Sequence, residues 1–98
     1  MSGPETTIQK AIQKEIVKRG WFVFKVHGSP TMMTGLPDLI VCAEGLYIGI
    51  EVKTPQTLHT VSDAQKLRGE QITAAGGMWG VAASVADALA IIAAAMDR

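Results

Sequence analysis

Asp38, Glu51 and Lys53 have the types and spacing to do chemistry together. Asp38 follows Gly35-Leu36-Pro37. Pro37 fixes its own φ and biases the residue before it towards extended backbone, so the chain enters the next segment in a set geometry. Thirteen residues after Asp38 comes Glu51-Val52-Lys53. Side chains alternate along a strand, so Glu51 and Lys53 share one face and Val52 takes the other with Ile48 and Ile50, the expected core side. A hairpin closed at Glu44-Gly45 returns Asp38 to the neighbourhood of Glu51. Two carboxylates beside a lysine suit phosphodiester hydrolysis. Mg²⁺ takes oxygen ligands, often one or two carboxylates plus water and substrate phosphate. Such an ion lowers the pKa of water and offsets phosphate charge, and a lysine orients the attacking water or stabilises developing charge.

The elements that must hold these groups follow from pattern. Glu5 to Arg19 reads as a helix, with Ile8, Ile12 and Ile16 in one stripe, Ala11 beside them and Lys10, Lys14 and Lys18 opposite. Gly20 stops it. Trp21 to Val26, rich in aromatic and β-branched residues, predicts a strand. His27 to Gly35 is a loop carrying Met32 and Met33. Asp38 to Ala43 and Leu46 to Lys53 form the hairpin. Thr54 to Val61 is a second loop. Ser62 with Gln65 forms a capping box that opens a helix ending at Gly76-Gly77. Met78 to Ala83 is a fourth strand. Ser84 to Asp87 starts an alanine-rich helix running through Met96. The order is α-β-β-β-α-β-α, an α/β class with a mixed sheet flanked by helices, expected as a single domain over residues 1–98.

Composition narrows the classes. The chain is 48% hydrophobic with zero formal net charge, which fits a globular protein. No apolar run reaches the roughly 18 residues of a membrane span, and the N-terminal residues do not form a secretory signal. The single cysteine, Cys42, lies in an apolar run and is expected to be a buried, inert thiol. With only Cys42, His27 and His59 as soft ligands, a structural zinc site is not expected.

Pro37-Asp38 followed by Glu51-Val52-Lys53 resembles the bipartite PD-(D/E)XK nuclease signature. The longer strings Gly-Leu-Pro-Asp-Leu-Ile and Ile-Glu-Val-Lys resemble the virus-type replication-repair nuclease (VRR-NUC) domains. Leu58 to Gln65 is similar to that family's "L-S-x-x-Q" segment, with extra residues between Leu58 and Ser62. Ala75 to Val81 followed by Ser84 also fits. The resemblance runs over roughly residues 5 to 90. It implies a restriction-endonuclease-like PD-(D/E)XK fold and a Mg²⁺- or Mn²⁺-dependent deoxyribonuclease. It further implies a homodimer cutting branched DNA such as four-way junctions, in the cytoplasm of a bacterial or phage-infected cell. By the same resemblance Asp38 and Glu51 are metal ligands, the Val52 carbonyl adds another, Lys53 is the catalytic lysine and Gln65 lines the site. The family also places a glutamate of the first helix on the metal. Glu5 is the choice, at the helix start near the angle of the isoleucine stripe, and Glu15 is the rival on the same angular ground.

Candidate phosphate contacts are Lys10, Lys14, Lys25, His27 and Lys66. The commoner reading of such residues is an ordinary solvated side chain, and Gln65 is fully explained as the third helical residue of its capping box. If Glu5, Asp38 and Glu51 hold cations, nine basic and six acidic side chains remain, a net +3 that permits phosphate binding. A catalytically silent DNA-binding module of the same fold, or a nuclease for flaps or single-stranded ends, is the alternative.

Overall fold

A computed structural model describes residues 3–97. Seven elements follow one another: α1 (Pro4–Lys18), β1 (Phe22–Lys25), β2 (Leu39–Ala43), β3 (Leu46–Val52), α2 (Asp63–Ala74), β4 (Met78–Ala82) and α3 (Val85–Met96). The four strands form one sheet in sequence order. β1–β2 and β2–β3 are antiparallel, and β3–β4 is parallel. The parallel pair needs a crossover, and α2 supplies it. This is the mixed, helix-flanked α/β sheet that the pattern predicts.

Alternation sorts the sheet into two faces. Leu39, Val41, Ala43, Ile48, Ile50 and Val52 are buried on one, with Ile12 and Ile16 of α1 and Ala88, Ile92 and Ala95 of α3 in the same core. The isoleucine stripe of α1 packs as expected, though Ala11 beside it is exposed. The other face carries Asp38, Ile40, Cys42, Tyr47, Gly49 and Glu51. Within the sheet, α2 packs mainly against β3 and β4, so it covers part of this face. Gly49 lets Pro37 and Ile72 close on the sheet, since a Cβ there would lie 2.7 Å from the Pro37 ring.

Two expectations change. The strand expected over Trp21 to Val26 is shorter, because the Trp21 N–H donates to the Ile16 carbonyl and so still belongs to the turn that ends α1. Cys42 is exposed, because its position in β2 faces away from the α1–α3 core. Glu51, on the face away from α1 and α3, is only 3% exposed. No helix among the described residues is long and apolar enough to cross a membrane.

Candidate active site

Asp38 and Glu51 meet at the open end of the β2–β3 hairpin. The last paired residues are Leu39 and Ile50, so one step further sets Asp38 across from Glu51. The register is tied there by the Val52 N–H, which donates to Asp38 Oδ2 at 2.8 Å. Asp38 is reached through Gly35-Leu36-Pro37. Gly35 has φ +85° and lies so close to α2 that a Cβ would meet the Ala64 carbonyl group at 2.5 Å. Only glycine combines that backbone with that approach. Arg68 reinforces the contact, donating from Nε to the Thr34 carbonyl at 2.8 Å. The loop before Asp38 is thus pinned to the start of α2, and a pocket of about 300 Å³ opens along it, lined by Val26, Gly28, Met33, Leu36 and Asp38 among others.

The electrostatics centre on Glu51. Burial pushes its carboxyl up to about 9, a hydrogen bond with Asp38 and the Asp38 charge push the same way, and Lys53 opposes them. Glu5 adds to the rise, which locates the first turn of α1 within electrostatic reach of the pair. Glu15, the rival to Glu5, is paired with Arg19 at 2.8 Å. Glu51 Oε2 is buried with no hydrogen-bond partner. An orphaned buried carboxylate oxygen is costly, and a hard cation at the Asp38–Glu51 pair would satisfy it. No group of three His, Cys, Asp or Glu side chains close enough to hold a metal occurs among the described residues. A cation here would therefore take two carboxylates and complete its shell with backbone carbonyl, water and substrate oxygen. That donor set fits Mg²⁺ or Mn²⁺ and excludes a thiolate or imidazole cage.

The remaining candidates divide. Lys53 is half-buried beside Glu51. Gln65 is engaged in the capping box, its Oε1 accepting from the Ser62 N–H at 2.9 Å while its own N–H donates to Ser62 Oγ at 3.1 Å. That leaves only its amide NH₂ for other work. Lys25 pairs with Leu39, whose side chain faces the α1–α3 core, so Lys25 projects from the face opposite the carboxylates. His27 is exposed and lines a neighbouring groove with Phe24 and Tyr47. Lys10, Lys14 and Lys66 are exposed on α1 and α2. One residue escaped sequence reasoning: Gln9, a buried polar side chain one helical turn after Glu5. Its i,i+4 spacing from Glu5 was the available signal.

Comparison with solved structures bears on this arrangement. A VRR_NUC domain aligns over 93% of this chain and 96% of its own, with TM-score 0.71 and 22% identity. A VRR_NUC domain protein aligns over 95% of this chain and 88% of its own, with TM-score 0.68 and 22% identity. The chain has the VRR-NUC fold. No protein-family model and no curated protein sequence matches it. The VRR-NUC fold is restriction-endonuclease-like, as Pro37-Asp38 and Glu51-Val52-Lys53 had implied. In this chain the fold sets those motif residues side by side at the end of one hairpin.

Proposed function

We propose that this chain is a metal-dependent DNA endonuclease that hydrolyses phosphodiester bonds in branched DNA, such as four-way junctions, as a homodimer. One observation carries the reading: a sealed Glu51 carboxylate with an unpartnered oxygen, opposite Asp38, on a fold shared with VRR_NUC domains. Asp38 and Glu51 hold Mg²⁺ or Mn²⁺, with the Val52 carbonyl as a further ligand and Glu5 at the rim. When bound, the ion supplies Lewis-acid stabilisation of phosphate charge and a lowered pKa for water. Lys53, on the same face as Glu51, orients the attacking water and offsets charge on the phosphoryl oxygens. The Asp38 Oδ2–Val52 N–H bond keeps the two strand ends, and hence the carboxylates, in register. Lys66 and His27 contact backbone phosphates, which positions DNA without reading sequence, whereas Lys10 and Lys14, like Lys25, belong to the side of the sheet that α1 covers. Gln65 presents its amide to the site while its carbonyl oxygen keeps the cap. A two-fold dimer presents two sites to two strands, which suits a branched substrate.

The test is cleavage of a labelled four-way junction, a flap, a single strand and a linear duplex with Mg²⁺, Mn²⁺ or EDTA, for the parent chain and Lys53→Ala. Cutting that needs metal, favours the junction and drops on the order of 100-fold or more in the variant is expected. Tight junction binding with no product under any metal would overturn the enzyme and leave a silent binding module.

A further inference from the structure

α2 carries a cation that no acidic side chain among the described residues answers. Arg68 is partly buried, on the side of the helix that meets the loop before Asp38. Its Nε–H donates to the Thr34 carbonyl at 2.8 Å, and Nη1 donates to Gln71 Oε1 at 2.8 Å. Both acceptors are neutral. The one ion pair among the described residues joins Arg19 to Glu15, so the charge of Arg68 is not paired. Two of the five guanidinium N–H donors are used, and Nη2 makes no hydrogen bond among the described residues. A charge drawn partly out of water is costly unless an opposite charge meets it. Thr34, which anchors the guanidinium, lines the same pocket of about 300 Å³ as Asp38. The unpaired cation is thus tied to the loop that delivers the candidate catalytic carboxylate.

We infer that Arg68 binds a backbone phosphate of the DNA substrate, close to the cut. This rests on the DNA nuclease of the proposed function and adds a strand contact to it. Guanidinium is the side chain best matched to phosphate oxygens, through paired N–H donors in a rigid fork. A strand with its scissile phosphate at Asp38 and Glu51 carries its next anions one nucleotide to either side. Asp38 and Glu51 repel those anions, and Arg68 offsets the repulsion with a charge built into the protein. Lys66, by contrast, is exposed and makes no hydrogen bond among the described residues. Because Arg68 is held before the strand arrives, the entropy of ordering a long side chain is lost on folding and not on binding. Tying the loop to α2 needs only one N–H donor, which an uncharged amide supplies. The loop contact therefore leaves the charge of Arg68 unexplained, and a phosphate explains it.

That separation of donor from charge gives the experiment. Fluorescence anisotropy of a labelled four-way junction and a labelled linear duplex, with Ca²⁺ across a salt series, is compared for the parent chain, Arg68→Gln and Arg68→Lys. Urea midpoints check that each variant is folded. Arg68→Gln is expected to bind both DNAs about five- to tenfold more weakly, with the magnitude of its log–log salt slope smaller by about 1. Arg68→Lys should keep the parent slope. A parent slope in Arg68→Gln would overturn the inference, even where binding weakens, because Arg68 would then only tie the loop. A Tm raised by inorganic phosphate in the parent but not in Arg68→Gln, with equal DNA slopes, would also overturn it and make the site one for a free anion. A parent chain that binds neither DNA would overturn the DNA substrate of the proposed function as well. Metal-dependent cleavage with unchanged slopes would overturn the role of Arg68 alone.

Discussion

A carboxyl group nearly sealed from water, facing a second carboxyl, keeps its proton well above the usual range. Glu51 does so, at about 9 against an ordinary 4.5. Between those values the folded chain binds a proton that the unfolded chain has lost, so stability falls as pH rises from about 4.5 to about 9. Glu51→Gln is therefore expected to raise the Tm of the metal-free chain at pH 8, with the gain shrinking towards pH 4.5. Thermal melts in EDTA across that range check it. Ionising Glu51 to bind a cation must expel the proton. Calorimetric titration with Mg²⁺ at pH 7, in buffers of different ionisation enthalpy, is expected to find proton release approaching one per chain. The placement of Asp38 and Glu51 across one hairpin was legible in the sequence because strand alternation and a two-residue turn fix it by local rules. The burial of Glu51 was not, because it depends on β4, which returns to β3 only in the folded sheet, Val81 standing opposite Glu51 although it lies 30 residues further along the chain.

α2 approaches the sheet closely at a glycine. Trp79 of β4 packs against Gly69 of α2, where a Cβ would lie 2.4 Å from the indole. Gly69→Ala is expected to destabilise the chain by about 1–3 kcal/mol through overpacking, read from urea midpoints. The Trp79 Nε1–H is buried without a partner among the described residues. Trp79→Phe removes that unmade hydrogen bond as well as some packing, so its cost is expected to stay below the roughly 3–5 kcal/mol typical of truncating a buried tryptophan to alanine. The capping box of α2 gives a separate test. Gln65→Ala should cost about 1 kcal/mol, while Gln65→Glu keeps the box. A loss of cleavage in Gln65→Glu at unchanged stability would mark the amide as part of the site. The order and type of all seven elements were readable, since each has its own periodicity and stop signal. Cys42 was misread because an apolar run has no visible faces until the register with β1 and β3 is known.

At the scale of the molecule, the zero net charge leaves little long-range attraction for DNA. Under the proposed function, DNA binding would then lean on a cation at the carboxylates and on a few local lysines. A shallow dependence of junction affinity on salt is expected, with a log–log slope of magnitude about 3 or less if a net of three positive charges engages phosphate. Fluorescence anisotropy across a salt series, with Ca²⁺ holding the complex uncut, measures it. The bare face of Phe22, Phe24 and Tyr47 could not be read from the sequence either. Those residues have ordinary strand composition, and only the limited reach of α2 leaves them uncovered.

The in-sequence order of the strands carries a last consequence, in time. β2 and β3 are joined by a two-residue turn, so Asp38 and Glu51 come together by local contacts that form early. β4 can join only after the whole crossover has closed, a longer loop with a larger entropy cost. The step that shuts water away from Glu51 is thus the late one, and deprotonation of Glu51 weighs on that step alone. In metal-free solution, amide hydrogens of β4 are expected to begin exchanging faster at a lower pH than those of β2, after correction for the intrinsic rate. Added Mg²⁺ should draw the two strands back into one cooperative unit.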